Sequence, residues 1–407
     1  MRVLFMSNGP WAQTGYGTET RYILRGIRDA GYPVACVAFW GLYGGNIEWE
    51  GIPVYPGSLD QMGHDAASYA CRHFKADVLF TLYDIWGFDP AVMGNLGNVR
   101  WCPYFPVDTT QLHPMQVERF GLAHRLLAYS RHGERLVREA GYGEKVRYVP
   151  HGVDCEVYHP ETEQERADWR REAYPEWPAD AFIVGMVAAN KGMPSRKSFP
   201  EVMEAFAGFA GRHPEARLYL HTCAGPDYRG PDLRQMATYW GVGDKVRYAT
   251  AERLIMGGYG DAEMRHFYNT FDVLLSPSQG EGFGIPIVEA QACGVPVIVN
   301  DHSAMSEVVG DGWRVAPLRS YKSLLGGEFA EADPAAIEQA LEECYRRPRI
   351  ARVHYGQVAR EFALQYDWPY AWEAWRGLLA ELDAGRSQLD WEIQKLQMAE
   401  VRRSCRG

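Results

Sequence analysis

The sequence predicts an α/β fold of two doubly wound domains with parallel sheets. Short apolar runs typical of buried strands alternate with amphipathic helical patterns along nearly the whole chain. With 407 residues, the chain exceeds the size at which one hydrophobic core stops growing, so two domains are expected. A polar stretch at 161–180, rich in Glu, Arg and Pro, separates the two series of strands and predicts a linker with a surface helix.

The first series predicts six strands, near Val3–Met6, Val34–Phe39, Val78–Leu82, Val99–Pro103, Leu126–Tyr129 and Val146–Val149. A helix is expected over Thr18–Ala30, ended by Gly31. The second series predicts strands near Phe182–Ala188, Arg217–His221, Val246–Tyr248, Val273–Ser276, Val297–Asn300 and Arg314–Ala316, with a helix over Phe199–Phe209. From Ala335 onward the pattern is mostly helical.

Composition excludes several classes of protein. A hydrophobic content of 46% and a charged content of 23% are typical of a globular protein. The net charge of −10 argues against a protein that holds nucleic acid mainly through phosphate contacts. No apolar run reaches the roughly 18 residues of a membrane span. The eight cysteines form neither a Cys-x-x-Cys pair nor a zinc-ligand spacing, and the apolar run at the N-terminus is too short for a signal peptide. A cytoplasmic location is therefore expected.

The most specific motif is Ser276-Pro-Ser-Gln-Gly-Glu-Gly-Phe-Gly-Ile-Pro-Ile-Val-Glu289, which continues through Gly294-Val-Pro. An apolar strand precedes the glycine-rich loop, Pro286 suits the first turn of a helix, and Gly294 suits its end. This order of strand, loop and helix directs backbone N–H groups and a helix N-terminus at an anionic ligand. An ordinary βαβ turn with two solvated glutamates is the alternative interpretation.

The motif resembles the Glu-x7-Glu segment of the GT4 family, retaining glycosyltransferases with the GT-B fold. The resemblance rests on Glu281 and Glu289 with Gly282, Phe283, Gly284, Pro286, Ala290 and Gly294-Val-Pro. It implies two Rossmann-like domains that face each other across a cleft. It also implies that Glu281 and the backbone amides of Gly282, Phe283, Gly284 and Ile285 hold the sugar of a nucleotide-sugar donor. Glu289 would bind the ribose hydroxyls.

A transferase of this kind must stabilise the charge that develops on a leaving diphosphate. The two common solutions are a metal ion held by carboxylates and fixed Lys or Arg with backbone amides. The chain has no Asp-x-Asp motif, so we expect no metal and no cofactor. The loop Val187-Ala-Ala-Asn-Lys-Gly-Met-Pro-Ser-Arg-Lys197 supplies the second solution. Arg196 and Lys197 match the family's diphosphate-binding pair, Asn190 opens the loop, and Lys191 is a rival for the lysine role because the spacing departs from the commoner form.

The loop after the first strand contains Gly15, Tyr16 and Gly17, where backbone can approach a phosphate or sugar closely. A dinucleotide site is the alternative, but its third glycine is replaced by Thr20 and no acidic residue closes the next strand. These three residues are therefore assigned to the nucleotide-sugar donor.

Three further segments are expected at the cleft. Asp108, with His113 nearby, stands where family members often carry a His, so it is a candidate to orient or deprotonate the acceptor hydroxyl, or else a helix N-cap. In the domain-connecting phrase, His151 replaces the usual Asn, as a donor contact or a structural hinge residue. The segment Tyr83-Asp-Ile-Trp86 ends a strand, and its aromatic residues either stack on an acceptor or belong to the core.

The expected division places an acceptor-side Rossmann-like domain at 1–155 and a nucleotide-sugar-binding domain at 156–362. A helix at 363–385 either crosses back to the first domain or completes the second, and a polar tail occupies 386–407.

The expected function is metal-independent transfer, with retention, of a sugar from a nucleoside diphosphate donor, UDP or GDP, to a hydroxyl acceptor. An epimerase-like enzyme and a donor-binding protein with decayed catalysis are the alternatives. Glycan, lipid-linked sugar, small metabolite and modified nucleic acid remain open as acceptors, and the sequence does not indicate the oligomeric state.

Overall fold

The computed structural model describes residues 1–57, 59–225, 229–323, 326–348 and 352–385. These residues form two α/β domains with parallel sheets, which confirms the predicted fold class. The polar tail 386–407 lies outside the described residues. Among the described residues, no helix combines the length and the apolar character needed to cross a membrane.

The N-terminal domain is built on an eight-stranded sheet with the order β3-β4-β2-β1-β5-β6-β7-β8, in which only the β3–β4 pair is antiparallel. Its strands are β1 Val3–Asn8, β2 Val34–Tyr43, β3 Ile47–Trp49, β4 Ile52–Gly57, β5 Val78–Leu82, β6 Arg100–Phe105, β7 Leu126–Ala128 and β8 Val146–Tyr148. Its helices are α1 Gly15–Asp29, α2 His64–Phe74, α3 Pro90–Met93, α4 Pro114–Phe120 and α5 Arg131–Val137.

The C-terminal domain contains a six-stranded parallel sheet with the order β11-β10-β9-β12-β13-β14, and a separate antiparallel hairpin, β15–β16. The strands are β9 Phe182–Val187, β10 Ala216–His221, β11 Val246–Tyr248, β12 Val273–Ser276, β13 Val297–Asn300, β14 Gly312–Val315, β15 Arg319–Lys322 and β16 Glu328–Glu331. The helices are α6 Glu163–Ala173, α7 Phe199–Arg212, α8 Leu233–Tyr239, α9 Ala251–Ile255, α10 Asp261–Thr270, α11 Ile285–Ala292, α12 Pro334–Arg346 and α13 Arg352–Ala363.

The last described helix, α14 (368–385), packs on the N-terminal domain. Trp375 is fully buried there, with its ring centroid 5.3 Å from that of Phe80 and 5.4 Å from that of Tyr104. Near the end of the helix, Glu381 pairs with Arg125 and Arg147 of the first domain. Of the two alternatives left open by the sequence, the structure shows the helix that crosses back.

Helix α1 begins three residues earlier than the sequence pattern predicts. Thr14 caps it by accepting a 3.0 Å hydrogen bond from the N–H of Gly17, so Gly15, Tyr16 and Gly17 form its first turn rather than a loop. A Cβ atom on Gly17 would lie 2.2 Å from the carbonyl oxygen of Ala12, so the turn can close only around a glycine.

The two domains are joined by apolar packing and by ion pairs. One apolar cluster includes Phe5 and Leu24 of the first domain together with Phe283 and Leu274 of the second. Polar contacts also connect the domains, among them the 2.6 Å ion pair between Arg21 and Asp261. These contacts therefore fix the relative positions of the loops that face each other at this interface.

Candidate active site in the interdomain cleft

The candidate site lies at the carboxyl ends of strands in both sheets. In the second domain, β9 and β12 are neighbours, and the loops that follow them carry Arg196 and Glu281. The two loops are joined directly, since the N–H of Gln279 donates to the carbonyl oxygen of Arg196 at 2.8 Å. In the first domain, β1, β5 and β6 are neighbours, so their loops also meet at one edge. Parallel sheets bind ligands at this edge.

The glycine-rich loop touches the first domain so closely that side chains are excluded at two positions. A Cβ atom on Gly280 would lie 2.0 Å from the carbonyl oxygen of Asp108, and one on Gly282 would lie 2.5 Å from Cβ of Pro106. The glycines of the motif therefore bring Glu281 against the loop that follows β6. This contact explains why the chain requires glycine on both sides of Glu281.

Four charged side chains meet where these loops converge. The Lys197 ammonium contacts the Glu281 carboxylate, and the Arg196 guanidinium contacts the carbonyl oxygen of Gly280. The guanidinium also lies 3.6 Å from the Glu281 carboxylate and 3.8 Å from that of Asp108. The structure thus brings together Asp108, Arg196, Lys197 and Glu281, which the sequence analysis had assigned to catalysis.

The electrostatics of this group favour the charged forms of Glu281 and Arg196. Burial disfavours the Glu281 carboxylate, but Lys197 and Arg196 outweigh burial and lower its pKa to about 2. Burial also opposes the charge on Arg196, yet Glu281, Asp108 and Asp84 together raise its pKa. For Lys197, burial lowers the pKa and Glu281 opposes that shift.

The backbone of Glu281 is fixed by a residue that the sequence analysis missed. Ser303 accepts a 3.0 Å hydrogen bond from the Glu281 N–H and donates a 3.0 Å bond to the Glu281 carbonyl oxygen. Ser303 follows β13, the strand next to β12, so only the sheet order reveals that it adjoins the glycine-rich loop.

The amides that follow Glu281 are free to bind a ligand. Among the described residues, no protein acceptor takes the N–H groups of Gly282, Phe283 or Gly284. Gly284, with φ of +100°, occupies the left-handed region and lets α11 begin at Ile285. The assignment of these amides to the donor sugar stays a prediction, and their hydrogen-bonding capacity is consistent with it.

Glu289 lies in α11 and is held by two tyrosines. The Tyr268 hydroxyl donates to its carboxyl group at 2.6 Å, and Tyr158 also hydrogen-bonds it. Burial, with Asp261 adding to it, raises the pKa of the Glu289 carboxyl to about 7, although both tyrosines oppose the shift. Its assignment to the ribose stays a prediction.

The first turn of α1 stands beside this part of the second domain. A Cβ atom on Gly15 would lie 3.4 Å from Cδ1 of Ile285, at the start of α11. Tyr16 packs against Tyr83 with a centroid distance of 5.6 Å, and its hydroxyl lies 3.5 Å from that of Tyr129. Gly15 therefore meets the second domain, whereas these contacts of Tyr16 lie within the first domain.

Two polar residues of the loop after β9 differ in environment. Asn190 is buried, and its side-chain amide donates to the carbonyl oxygens of Cys223 and Pro231, so this group ties two loops together. Lys191 is exposed and pairs through its backbone with Arg229. Lys197, rather than its rival Lys191, contacts Glu281.

The sequence left two alternative roles open for Asp108 and two for His151, and the surroundings of each residue bear on the choice. His113, not Asp108, caps helix α4. His151 is buried, forms a 3.0 Å ion pair with Glu19, and stacks on Tyr129 at 4.0 Å. These contacts are those of a structural residue at the junction of the domains.

A third carboxyl group, Asp84, follows β5 and acts on the same charged cluster. Burial, together with the charge of Asp108, raises its pKa to about 7, while Arg196 opposes the shift. From the sequence, only the aromatic residues of this segment are predicted to face the cleft. The adjacency of β5 and β6 is what brings Asp84 near Asp108.

Comparison with solved structures shows the class of fold. The chain is similar to sucrose-phosphate synthase from Thermosynechococcus elongatus, with a TM-score of 0.72, 18% identity, and coverage of 95% of this chain and 100% of that one. It is also similar to Anabaena HepE in complex with UDP and glucose, with a TM-score of 0.68, 15% identity, and coverage of 94% and 100%. The protein has the GT-B fold of glycosyltransferases.

Sequence comparisons indicate the family. Residues 182–347 match the model for glycosyl transferases group 1. D-inositol 3-phosphate glycosyltransferase of Corynebacterium urealyticum is 28% identical over 254 residues, which cover 60% of this chain and 53% of that protein. Phosphatidyl-myo-inositol mannosyltransferase of Propionibacterium freudenreichii is 30% identical over 165 residues, covering 39% of each chain. The chain thus spans about half the length of the first of these relatives, and less of the second.

These matches support the recognition made from the Glu281 motif: residues 182–347 match the model for group 1 glycosyl transferases, and the chain has the GT-B fold.

Proposed function

We propose that the protein transfers a sugar from a nucleoside diphosphate donor, UDP- or GDP-linked, to a hydroxyl acceptor, with retention of configuration and without a metal ion. The observation that carries this proposal is the group formed by Arg196, Lys197 and Glu281 at the carboxyl ends of β9 and β12. Two cations there meet a carboxylate and unpaired backbone amides, the set of groups that a diphosphate and a sugar require.

The chemistry assigns a role to each group. The bond between the anomeric carbon and the β-phosphate oxygen breaks, and a bond to the acceptor oxygen forms on the same face of the sugar. The acceptor proton passes to an oxygen of the departing β-phosphate, so no enzymic nucleophile is required. Arg196 offers a two-pronged contact to the diphosphate and Lys197 a point charge, and both stabilise the negative charge as it grows.

The cluster explains how the free protein tolerates these cations. Without a diphosphate, Glu281 and Asp108 neutralise Arg196. When a diphosphate binds, its oxygens replace these contacts, and Glu281 becomes available to the sugar hydroxyls. The exposed fraction of the Arg196 side chain, 41%, leaves room for this exchange.

The names of similar proteins support the proposal. Solved structures of HepE contain UDP, or UDP-glucose, and the similar sequences are named as glycosyltransferases and mannosyltransferases. A nucleotide-sugar donor is therefore the first ligand to test here.

The test is a thermal-shift and calorimetric screen against UDP-, GDP-, ADP- and dTDP-sugars. We expect one donor class to bind, and Arg196→Ala to weaken that binding at least about tenfold. Arg212→Ala, at the far end of α7 and paired with Glu338 and Glu342, is the matched control. Absence of binding by every donor would contradict the proposal.

Two alternative functions predict different outcomes when the donor is incubated with the protein. An epimerase-like enzyme would convert the donor into an altered nucleotide sugar without any acceptor, which NMR of donor and protein alone detects. A binding protein with decayed catalysis would bind the donor. It would not hydrolyse the donor, even slowly, to free nucleoside diphosphate.

A further inference from the structure

Asp84 and Asp108 reach the catalytic cluster from neighbouring strand ends. Strands β5 and β6 pair in parallel, with Leu82 opposite Tyr104, so the loops that follow them lie side by side. Asp108 lies 3.8 Å from Arg196, and the charge of Asp84 acts on both Asp108 and Arg196. Both carboxyl groups belong to the domain that faces the sugar-binding half of the cleft.

Asp84 is not needed to balance charge. Glu281 already neutralises Lys197 and shares Arg196 with Asp108. Burial first, and the charge of Asp108 second, raise the pKa of Asp84 to about 7, so a third carboxyl group in this place adds repulsion. Asp84 accepts a hydrogen bond from the Trp86 side chain, which fixes its orientation.

Among the described residues, the charge of Asp108 acts on three histidines that carry no free positive charge. Burial lowers the pKa of His113, His132 and His302, so these three histidines are neutral at pH 7. Arg119 donates to the carbonyl oxygens of Phe88 and Met115.

Aromatic rings complete the surroundings. Tyr83 adjoins Asp84 in sequence and packs against Tyr16 at 5.6 Å and against Phe39 at 5.4 Å. The Asp84 and Asp108 charges both act on the Tyr16 hydroxyl. Carboxyl groups beside apolar ring faces suit the hydroxyl groups and C–H faces of a sugar or cyclitol.

We propose that Asp84 and Asp108 bind hydroxyl groups of the acceptor, and that the acceptor is an uncharged polyhydroxylated molecule rather than a phosphorylated one. This inference rests on the proposed function. A phosphate on the acceptor would meet two carboxyl groups and neutral histidines, while Arg196 and Lys197 are occupied by the diphosphate of the donor. Juxtaposed like charges at an interface disfavour binding. The acceptor would thus differ in charge from the inositol 3-phosphate in the names of several similar proteins.

The experiment uses the full chain and the nucleotide sugar selected by the binding screen. Transfer is measured to matched pairs of acceptors: myo-inositol against D-inositol 3-phosphate, glucose against glucose 6-phosphate, and mannose against mannose 6-phosphate. We expect kcat/KM for the neutral member of an accepted pair to exceed that of its phosphorylated partner at least tenfold. A preference for the phosphorylated member would overturn the inference.

Failure of the inference and failure of the proposed function are distinguishable. If the protein binds and hydrolyses the donor but binds no neutral member of the panel in calorimetry, the inference is overturned while the proposed function stands. If no donor binds, the proposed function itself fails.

The variant Asp84→Asn tests the role of the side chain. We expect it to raise the acceptor KM about tenfold or more while leaving the donor dissociation constant unchanged, because the amide keeps the shape but loses the charge-assisted bond. Asp89→Asn is the matched control, since Asp89 caps α3 by accepting from the Ala91 N–H and asparagine caps equally well. An unchanged acceptor KM in Asp84→Asn, or an equal loss of donor affinity, would contradict the assignment.

A charge reversal gives a second readout. In Asp84→Lys the acceptor side gains a cation, so the ratio of kcat/KM for phosphorylated over neutral acceptors should rise. Asp89→Lys should leave the ratio unchanged. Circular dichroism and thermal unfolding verify that both variants fold, and an unaltered ratio in folded Asp84→Lys would contradict the proposal.

Discussion

The Tyr268 hydroxyl donates a 2.6 Å hydrogen bond to Glu289, the carboxyl group expected to bind the ribose of the nucleotide-sugar donor. The bond favours the ionised carboxylate, whereas burial and the nearby Asp261 favour the protonated acid. Burial outweighs the hydrogen bonds, so the pKa of the Glu289 carboxyl is raised to about 7. Two ribose hydroxyls would donate to the carboxylate and shift this balance toward the ionised form.

Replacing Glu289 should weaken donor binding. We expect Glu289→Ala to raise the donor dissociation constant well over tenfold, because ribose hydroxyls lose a charged acceptor in a partly buried place. Isothermal titration calorimetry with the selected nucleotide sugar measures the effect. Glu361→Ala, on the exposed side of α13, is the control. Unchanged donor affinity in Glu289→Ala would exclude the ribose assignment.

Donor binding should depend on pH through the same carboxyl group. With a pKa of about 7, Glu289 is largely protonated at pH 6 and largely ionised at pH 8. If only the ionised form binds ribose strongly, the association constant should rise about tenfold from pH 6 to pH 8. Nucleotide sugars lack a terminal phosphate that titrates in this range, so the ligand does not contribute.

Variants assign this pH dependence. Glu289→Gln should bind the donor weakly at every pH and show a flat profile. Asp84, whose pKa is also about 7, titrates in the same window, so Asp84→Asn should retain the rise if Glu289 causes it. A rise that persists in Glu289→Gln and disappears in Asp84→Asn would reverse the assignment.

We expect kcat to depend on the positive charge at position 196 and, beyond that, on the two-pronged shape of the arginine side chain. We expect Arg196→Ala to reduce kcat about 100-fold, comparable with the loss of one oxyanion-stabilising group in other enzymes. Arg196→Lys should recover only part of the rate, because lysine supplies a point charge without the two-pronged contact. Steady-state release of the nucleoside diphosphate measures both. Equal rates for the Lys and Ala variants would show that charge at this position does not stabilise the transition state.

The sequence predicted the central strands and the charged cluster for a physical reason. Buried parallel strands are continuous apolar runs, and Glu281 lies in a glycine-rich loop whose spacing is specific. Other strands were missed because they lack that signal: β4 contains Pro53 and Pro56, and three of the four residues of β15 are exposed. Ser303 and Asp84 were missed because their roles arise from neighbouring strands, which a linear pattern does not show.

Helix α14 illustrates the same limit, and it supplies a stability prediction. Its apolar pattern showed that one face is buried but not which domain covers it. In the structure Trp375 is fully buried among Phe5, Phe80 and Tyr104 of the first domain. We expect Trp375→Ala to lower the free energy of unfolding by about 3–5 kcal/mol, because the cavity between these rings cannot collapse completely.

Urea denaturation followed by circular dichroism measures this loss, with Tyr370→Ala as the control. Tyr370 lies on the same helix with 65% of its surface exposed, so its loss should change stability by less than about 0.5 kcal/mol. Trp375→Phe should cost less than the alanine variant, since it keeps an aromatic ring and removes an indole N–H that has no hydrogen-bond partner among the described residues. If Trp375→Ala lowered the free energy of unfolding no more than Tyr370→Ala, α14 would not stabilise the N-terminal domain in solution. The contacts of Trp375 with Phe80 and Tyr104 would then contribute nothing to stability.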